Sequence, residues 1–378
     1  MSHPYLTIEL DKIEHNARTI VELCHKHGLD VVGVTKCTCG YPPIAEAMRR
    51  GGVVAIGESQ LENIHRLTNA GVAGPFMLLR LPSPSEADEV VASVDISLNS
   101  ELSVLAALSQ AAERRGRRHD VIVMVDLGDL REGLWPRDLT SFMREALSFR
   151  GLRFAGLGTN LACFGGVMPS EDNMRRLSEL ADEVERNFGL KFDWVSGANS
   201  SGLNLIATGR MPARVNQARI GEAILLGRET THREPWPGTF QDVFRLHAEI
   251  LELKPKPSAP VGERSEDAFG HLTAFENRGE IERALVNIGR EEIAVEGLTP
   301  HDARLKILGA SSSYLVVDTS AAAGVYKVGD ELTFALNYGA LLTAMASEYV
   351  KKRPFPPKLP RAKRMELSER LVSQKFEE

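Results

Sequence analysis

No stretch of this 378-residue chain stays apolar for the length of a membrane span, so no membrane partner is expected. The opening MSHPYLTIEL lacks a basic region followed by an apolar stretch, which argues against a secretory signal. Cysteine is scarce. Cys24, Cys37, Cys39 and Cys163 are the only four, too few to staple a chain of this size, so a reducing, cytoplasmic setting is expected. An excess of basic residues is also missing: the formal net charge is −6, which argues against a nucleic-acid partner. The one basic run, KKRPFPPKLPRAKR near the C-terminus, is expected to be a solvated extension. Neither the Gly-rich dinucleotide fingerprint nor the P-loop pattern occurs, and no repeat of solenoid type is found.

What the chain does have is apolar content, 43% of its residues, enough for a large buried core. Its first part alternates regularly. DKIEHNARTIVELC places Ile13, Ala17, Ile20, Val21 and Cys24 at helical spacing. Then come eight short, β-branched-rich runs: DVVGVT, VVAIG, PFMLL, VDISL, VIVMVD, RFAGLG, FDWVS and the VNQARIGEAILLG stretch. Helix-like segments separate them. One is PSEADEVVASV, introduced by Ser83, Pro84 and Glu86 as N-cap, first-turn proline and capping-box partner. Another is EDNMRRLSELADEVERNF, with Met174, Leu177, Ala181 and Val184 on one face. Strands covered by helices read as continuous apolar runs. Eight such units in about 220 residues predict a (β/α)8 barrel, with an open doubly wound sheet as the alternative.

After about Gly227 the texture changes. Linker-like stretches (REPWPG, KPKPSAPVG) precede the runs ALVNIG, LKILGA, YLVVD and DELTFAL, which predict a mostly antiparallel β domain. The stretch YGALLTAMASEYVKK reads as a closing helix. The expected organisation is therefore a barrel over residues 10–230 and a second domain over 231–378, joined by residues 1–9.

Barrel enzymes place their chemistry at the C-terminal ends of the strands. Lys36 closes the first strand, where burial beside apolar walls would lower its pKa and leave an amine able to attack an aldehyde. Phosphate sites on this fold form in the loops after the seventh and eighth strands. Strand seven runs into SGANSSGLN, which offers the Ser200 hydroxyl and opens a helix whose amides favour an anion. Strand eight carries ARIGEA, with the Gly221 and Glu222 amides beside Arg219. Arg131, in MVDLGDLREG, and Asn160, in GLGTNLACFGG, follow strands five and six and are candidates for ligand contact.

The order VTK, D-x-G-x-x-R-x-G, ANS, R-x-G and a late tyrosine resembles the fold-type III pyridoxal-phosphate enzymes, of which alanine racemase is the best known. VGVTK with CGYPP, GTNLACFGG and SGANSSG look most similar to the ornithine racemase branch. The resemblance runs from Ile8 to about Ser347. It implies pyridoxal 5'-phosphate as cofactor, an amino acid as the small-molecule substrate, and inversion of its α-carbon. Carried over by position, it makes Lys36 the Schiff-base lysine and the base on one face. Arg131 becomes the contact to the cofactor's phenolic oxygen, and Arg219 the partner of its pyridine nitrogen. Ser200, Gly221, Glu222 and Tyr338 become the phosphate ligands. Ser312, in GASSSY, falls where a partner-subunit loop holds the substrate carboxylate, so a head-to-tail homodimer is implied.

The chain departs from alanine racemases in one place. The stretch PVGERSEDAFGHL has no tyrosine to serve the opposite face. Glu263, Asp267 and His271 are the groups available, Asp267 and His271 being preferred. Tyr41 lies five residues after Lys36, a shifted spacing, so a side chain longer than alanine's is expected in the substrate. Ornithine or lysine would need an acidic partner that the sequence does not identify. Three rivals stand beside this reading. The first is alanine or serine racemisation, or a metal-assisted lyase or aldolase of the same fold, although no metal cluster is visible in the second domain. The second is cofactor-free racemisation by Cys37 and Cys163, and the third is a cofactor-storage protein.

Overall fold

The computed structural model of the chain describes residues 3–270, 272 and 274–355. The first strand, β1 (Tyr5–Glu9), leads into a helix at Leu10–Lys26. That helix buries Ile13, Ala17, Ile20, Val21 and Cys24, the stripe read from the sequence. Eight parallel strands then close a barrel in chain order. They are β2 (Asp30–Val34), β3 (Ala55–Glu58), β4 (Phe76–Leu78), β5 (Ile96–Asn99), β6 (His119–Met124), β7 (Leu152–Gly158), β8 (Trp194–Ala198) and β9 (Gln217–Ile220). Pairing of β9 with β2, Gln217 opposite Asp30, completes the ring.

The strands are buried on both faces, which is why their sequences read as unbroken apolar runs. Val32, Ala55, Met77, Ile96, Leu98, Ile122 and Met124 fill the inside. A larger core lies between the strands and the outer helices. Helix starts follow the expected chemistry. Ser83 and Glu86 form the anticipated capping box, and Ser170 with Asn173 does the same for the helix Glu171–Phe188.

The second part is a sheet built from β1, β10 (Phe244–Pro257), β11 (Glu280–Val286), β12 (Leu298–Pro300), β13 (Lys306–Ala310), β14 (Leu315–Asp318), β15 (Glu331–Leu336) and β16 (Lys351–Phe355). Its central order is β12-β15-β10-β11-β14-β13. Every pairing is antiparallel except β1 with β16. No helix among the described residues is long and apolar enough to cross a membrane.

Three local expectations are corrected. KPKP is not linker but the end of β10, where Pro255 and Pro257 pair with Glu282 and Glu280. Prolines are tolerated there because the other neighbours of β10, β1 and β15, reach only as far as Glu249. The closing helix stops at Ala346. Lys351 and Lys352 instead start β16, so the basic run begins as an edge strand rather than a solvated tail, and Arg353 lies 3.5 Å over the Tyr5 ring. Its remainder, from residue 356, lies outside the described residues.

Asn16 locks the barrel to the segment entering the sheet. Fully buried in the first helix, it donates to the Ile224 and Phe240 carbonyls at 3.0 and 2.9 Å and accepts from the Phe240 amide at 2.7 Å. Removing it strands three buried backbone groups, each worth about 1–3 kcal/mol. Asn16→Ala is expected to cost at least about 3 kcal/mol, measured by urea unfolding followed through tryptophan fluorescence. A loss below about 1 kcal/mol would show that Asn16 is not the lock.

Candidate active site

Past the end of β2 the chain turns back over the barrel mouth, and nearly every residue of that turn is tied down. The Thr35 amide donates to the Gly57 carbonyl at 3.0 Å. Its hydroxyl donates to Glu58 at 2.8 Å, and the Thr38 hydroxyl donates to the Thr35 carbonyl at 2.9 Å. The Cys37 thiol reaches the Tyr338 carbonyl at 3.7 Å. Arg66 holds the Cys39 carbonyl. Cys39 and Gly40 both lie in the left-handed region, φ 50° and 58°. A Cβ at Gly40 would sit 2.8 Å from the Asn63 Cβ, so only glycine lets the turn seat on the next helix.

Lys36 is the exception. Its side chain lines the cavity at the mouth, and among the described residues its amine makes no hydrogen bond or ion pair. The expectation that Lys36 is buried is corrected: it is exposed, because the cavity it enters is open on one side.

That cavity measures about 740 Å³. It gathers Lys36, Arg131, Asn160, Ser200, Arg219, Gly221, Glu222 and Tyr338 into one lining. Five cations line it (Lys36, Arg80, Arg131, Arg219, Arg233) against two carboxylates, Glu132 and Glu222. The excess suits an anionic ligand.

Arg219 is 6% exposed. It donates to the Thr159 carbonyl at 2.6 Å and to the Ser196 carbonyl and hydroxyl. No described carboxylate pairs with it. Burial pushes it down to about 10, so it remains a cation at neutral pH and a donor for a lone pair in the cavity.

The two loops expected to cradle a phosphate are physically joined: the Ser200 hydroxyl accepts from the Ala223 amide at 3.1 Å. At Gly221 a Cβ would come within 3.1 Å of the Val34 carbonyl, a crowded contact at the end of β2 that glycine avoids. The helix expected after ANS is present but short. Ser200–Gly202 is a single tight turn, and the helices that follow, Leu203–Ala207 and Glu222–Leu226, are five residues each. Individual hydroxyl and amide donors therefore matter more here than a macrodipole. Burial raises the Glu222 carboxyl, partly offset by Arg233 at 3.1 Å.

Across the mouth, Glu132 grips Arg131 through Nε and Nη2. The Asn160 amide stands between Arg131 and Asn199; with its oxygen turned to Arg131 it accepts from Nη1 at 3.2 Å. Asn199 also donates to the Leu161 carbonyl at 2.8 Å. Beneath them the buried Asp129 carboxylate accepts the amides of Cys163 (3.2 Å), Phe164 (2.8 Å) and Val167 (3.1 Å). One side chain thus binds the loop after β6 to the glycine-rich loop after β7. Burial raises Asp129, but the amides outweigh it and hold the group below the usual carboxylate range.

Tyr338 enters from the second part of the chain. It begins the helix Tyr338–Ala346, whose cap is the Asn337 side chain accepting from the Ala340 amide at 3.0 Å. Burial pushes its hydroxyl well above the ordinary tyrosine value. Burial likewise drives the neighbouring Cys37 thiol far up, so it stays protonated and is not the thiolate that cofactor-free racemisation requires.

Not all candidates meet here. Ser312 is exposed in the hairpin between β13 and β14, and its carbonyl accepts from the Glu291 amide at 3.0 Å. Asp267 is exposed, and its carboxylate accepts the Phe269 amide at 2.9 Å. Neither lines the cavity of its own chain, and His271 lies outside the described residues. Residues that the sequence reading missed include Glu58, Glu132, Asp129, Asn199 and Arg233. Of these, Glu132 carried a signal in its place beside Arg131, and Asn199 in being the asparagine of the ANS motif.

Residues 8–229 match the family described as "Alanine racemase, N-terminal domain". The ornithine racemase of Acetoanaerobium sticklandii is 42% identical over 351 residues, 93% of this chain and 99% of that protein. The lysine racemase of Thermotoga maritima is 40% identical over 352 residues, 93% and 98% of the two chains. Among solved structures, the alanine racemase of a D-cycloserine-producing Streptomyces lavendulae has a TM-score of 0.74 at 18% identity, covering 95% of this chain and 98% of that one. Another, the alanine racemase of Bartonella henselae with covalently bound pyridoxal phosphate, has a TM-score of 0.72 at 19% identity, covering 94% and 100%.

Asp129→Asn tests the shared carboxylate. With three amides donating to it, the substitution is expected to cost about 2 kcal/mol at pH 7. Because the folded-state value is depressed, this stabilisation is complete above the unfolded-state value of about 3.9 and fades as pH falls through the folded one. Melting curves of parent and variant should therefore converge in acid. A gap that stays constant down to about pH 2 would contradict the assignment.

Proposed function

Because the chain belongs to the alanine racemase family, we propose that it racemises an amino acid with pyridoxal 5'-phosphate, and that ornithine or lysine is the preferred substrate. The observation carrying this reading is the sharing of one cavity by an untied amine, Lys36, an unpaired buried guanidinium, Arg219, and the joined Ser200 and Gly221 loops. The donor set fits the cofactor. Ser200, Tyr338 and the Gly221 and Glu222 amides would hold its phosphate, Arg219 its ring nitrogen and Arg131 its phenolic oxygen. The relatives most alike over the full length, named for ornithine and lysine, support a substrate longer than alanine.

When bound, the cofactor supplies a conjugated electron sink that lowers the cost of removing the substrate's α-proton. Lys36 serves as the base on one face, where its amine takes and returns that proton. Arg219 donates hydrogen bonds but does not surrender a proton. It therefore limits charge delocalisation into the ring, which favours plain deprotonation and reprotonation over transamination. Glu132 and Asn160 fix the plane of Arg131. The apolar walls Leu79, Leu81 and Leu98 keep the far side of the cavity dry.

The opposite face needs a second acid–base group, and we assign it to Asp267 or His271 of a partner subunit, with Ser312 supplied the same way to the substrate carboxylate. This places two copies head to tail. Residues 10–230 form the cofactor-bearing unit, while 231–378 with 1–9 complete the neighbour's site. The cytoplasm suits such an enzyme, since its free cysteines require no oxidising compartment.

The parent protein is expected to be yellow with added pyridoxal phosphate after gel filtration, and Lys36→Ala colourless. In deuterium oxide, ornithine and lysine should exchange the α-proton at least about tenfold faster per molar than alanine, a difference of about 1.4 kcal/mol. Rapid alanine exchange with both longer substrates inert would overturn the substrate assignment. Asp267→Asn and His271→Asn should slow the two directions of reaction unequally. If neither slows either direction, the second base lies elsewhere. Light scattering that finds an active monomer would rule out the shared site.

A further inference from the structure

Glu58 ends β3 and is 0% exposed, yet no described cation pairs with it. A carboxylate in that position persists only if hydrogen bonds answer each oxygen. Three do so directly. The Thr35 hydroxyl reaches Oε1 at 2.8 Å, while the Ser59 amide and the Asn63 side chain reach Oε2 at 2.9 and 3.1 Å. The Gly40 amide, which is also 3.4 Å from the Thr35 carbonyl, contributes as well. Two of these four donors, Thr35 and Gly40, bracket the turn that carries Lys36. The others come from the element that follows Glu58 itself. Asn63 completes a second connection, because its Cβ is the surface on which Gly40 rests.

We propose that Glu58 is the positioning residue for the reactive amine: its carboxylate fixes both ends of the Thr35–Gly40 turn, so that Lys36 alone is left free to swing within the cavity. The inference rests on the reading of Lys36 as the cofactor-bearing base and names the device that aims it. Burial raises the Glu58 carboxyl, but the four donors oppose that rise. The group thus spends its hydrogen-bonding capacity on the turn rather than on proton transfer. A merely structural carboxylate would serve as well in many places around the barrel. This one is joined to the residue immediately before the lysine.

The test compares Glu58→Gln, Thr35→Val and the double variant with Ser109→Ala, a destabilised control at the opposite end of the barrel, where the buried Ser109 hydroxyl accepts the Gly151 amide at 3.0 Å just before β7. Thr35→Val cuts one strut and leaves the carboxylate its other partners. The expected result is a fall in kcat of at least about tenfold in each variant with KM within about twofold. The double variant should be no slower than the slower single variant, since both act through one connection. Uptake of pyridoxal phosphate by cofactor-free protein, followed by its absorbance, should slow by a similar factor in the Glu58 and Thr35 variants but not in Ser109→Ala. Variants that only melt earlier, with kcat and uptake unchanged, would overturn the proposal. So would losses that multiply in the double variant. A parent protein that takes up no cofactor would bring down the functional reading and this inference together, whereas normal parent uptake with unaffected variants removes this inference alone.

Discussion

A guanidinium sealed inside a protein costs several kcal/mol unless something answers its charge, and among the described residues only neutral oxygens meet Arg219. The other guanidinia at the mouth are answered differently, each by a carboxylate. Arg80, Arg131 and Arg233 also face the cavity but are occupied by Glu86, Glu132 and Glu222, which leaves Lys36 and Arg219 without a described carboxylate. The chain therefore holds a positive field that its own side chains do not neutralise. A ligand carrying a phosphate and an acceptor nitrogen completes the balance, which links cofactor binding to the stability of the barrel mouth.

The second part of the chain does more than extend the barrel. Asn337 caps a helix so that Tyr338 reaches across to Cys37 and closes one side of the cavity. The remaining side is open, and neither the exposed Ser312 nor the exposed Asp267 lines it. On the function proposed above, the pieces wanted at that open side come from a second copy of the chain.

The eight barrel strands were legible because burial on both faces writes each as a compact β-branched run, as in DVVGVT and VIVMVD. Lys36, Ser200 and Arg219 were legible because they sit at strand ends, where chain order alone puts them in the mouth. Glu58 and Asp129 were not. The partners that give them their role, Thr35 for Glu58 and the Cys163 to Val167 amides for Asp129, lie 23 and 34–38 residues away in sequence, next to neighbouring strands, and no local spacing encodes a contact of that kind. The end of β10 was hidden for a different reason. Its prolines argue for a linker unless the missing neighbour on one edge is known. The end of the last helix was obscured because Tyr349 falls at helical spacing from Met345, while pairing with β1 decides what Lys351 and Lys352 become.

Since three amides of the glycine-rich loop converge on the carboxylate of Asp129, the two neighbouring loops form one heritable unit. An inserted residue in either would break the alignment of several donors at once. Divergence within this part of the mouth should therefore proceed by exchanging side chains such as Asn160 or Cys163 on a backbone of fixed length, while freer length variation is left to the loops elsewhere around the rim.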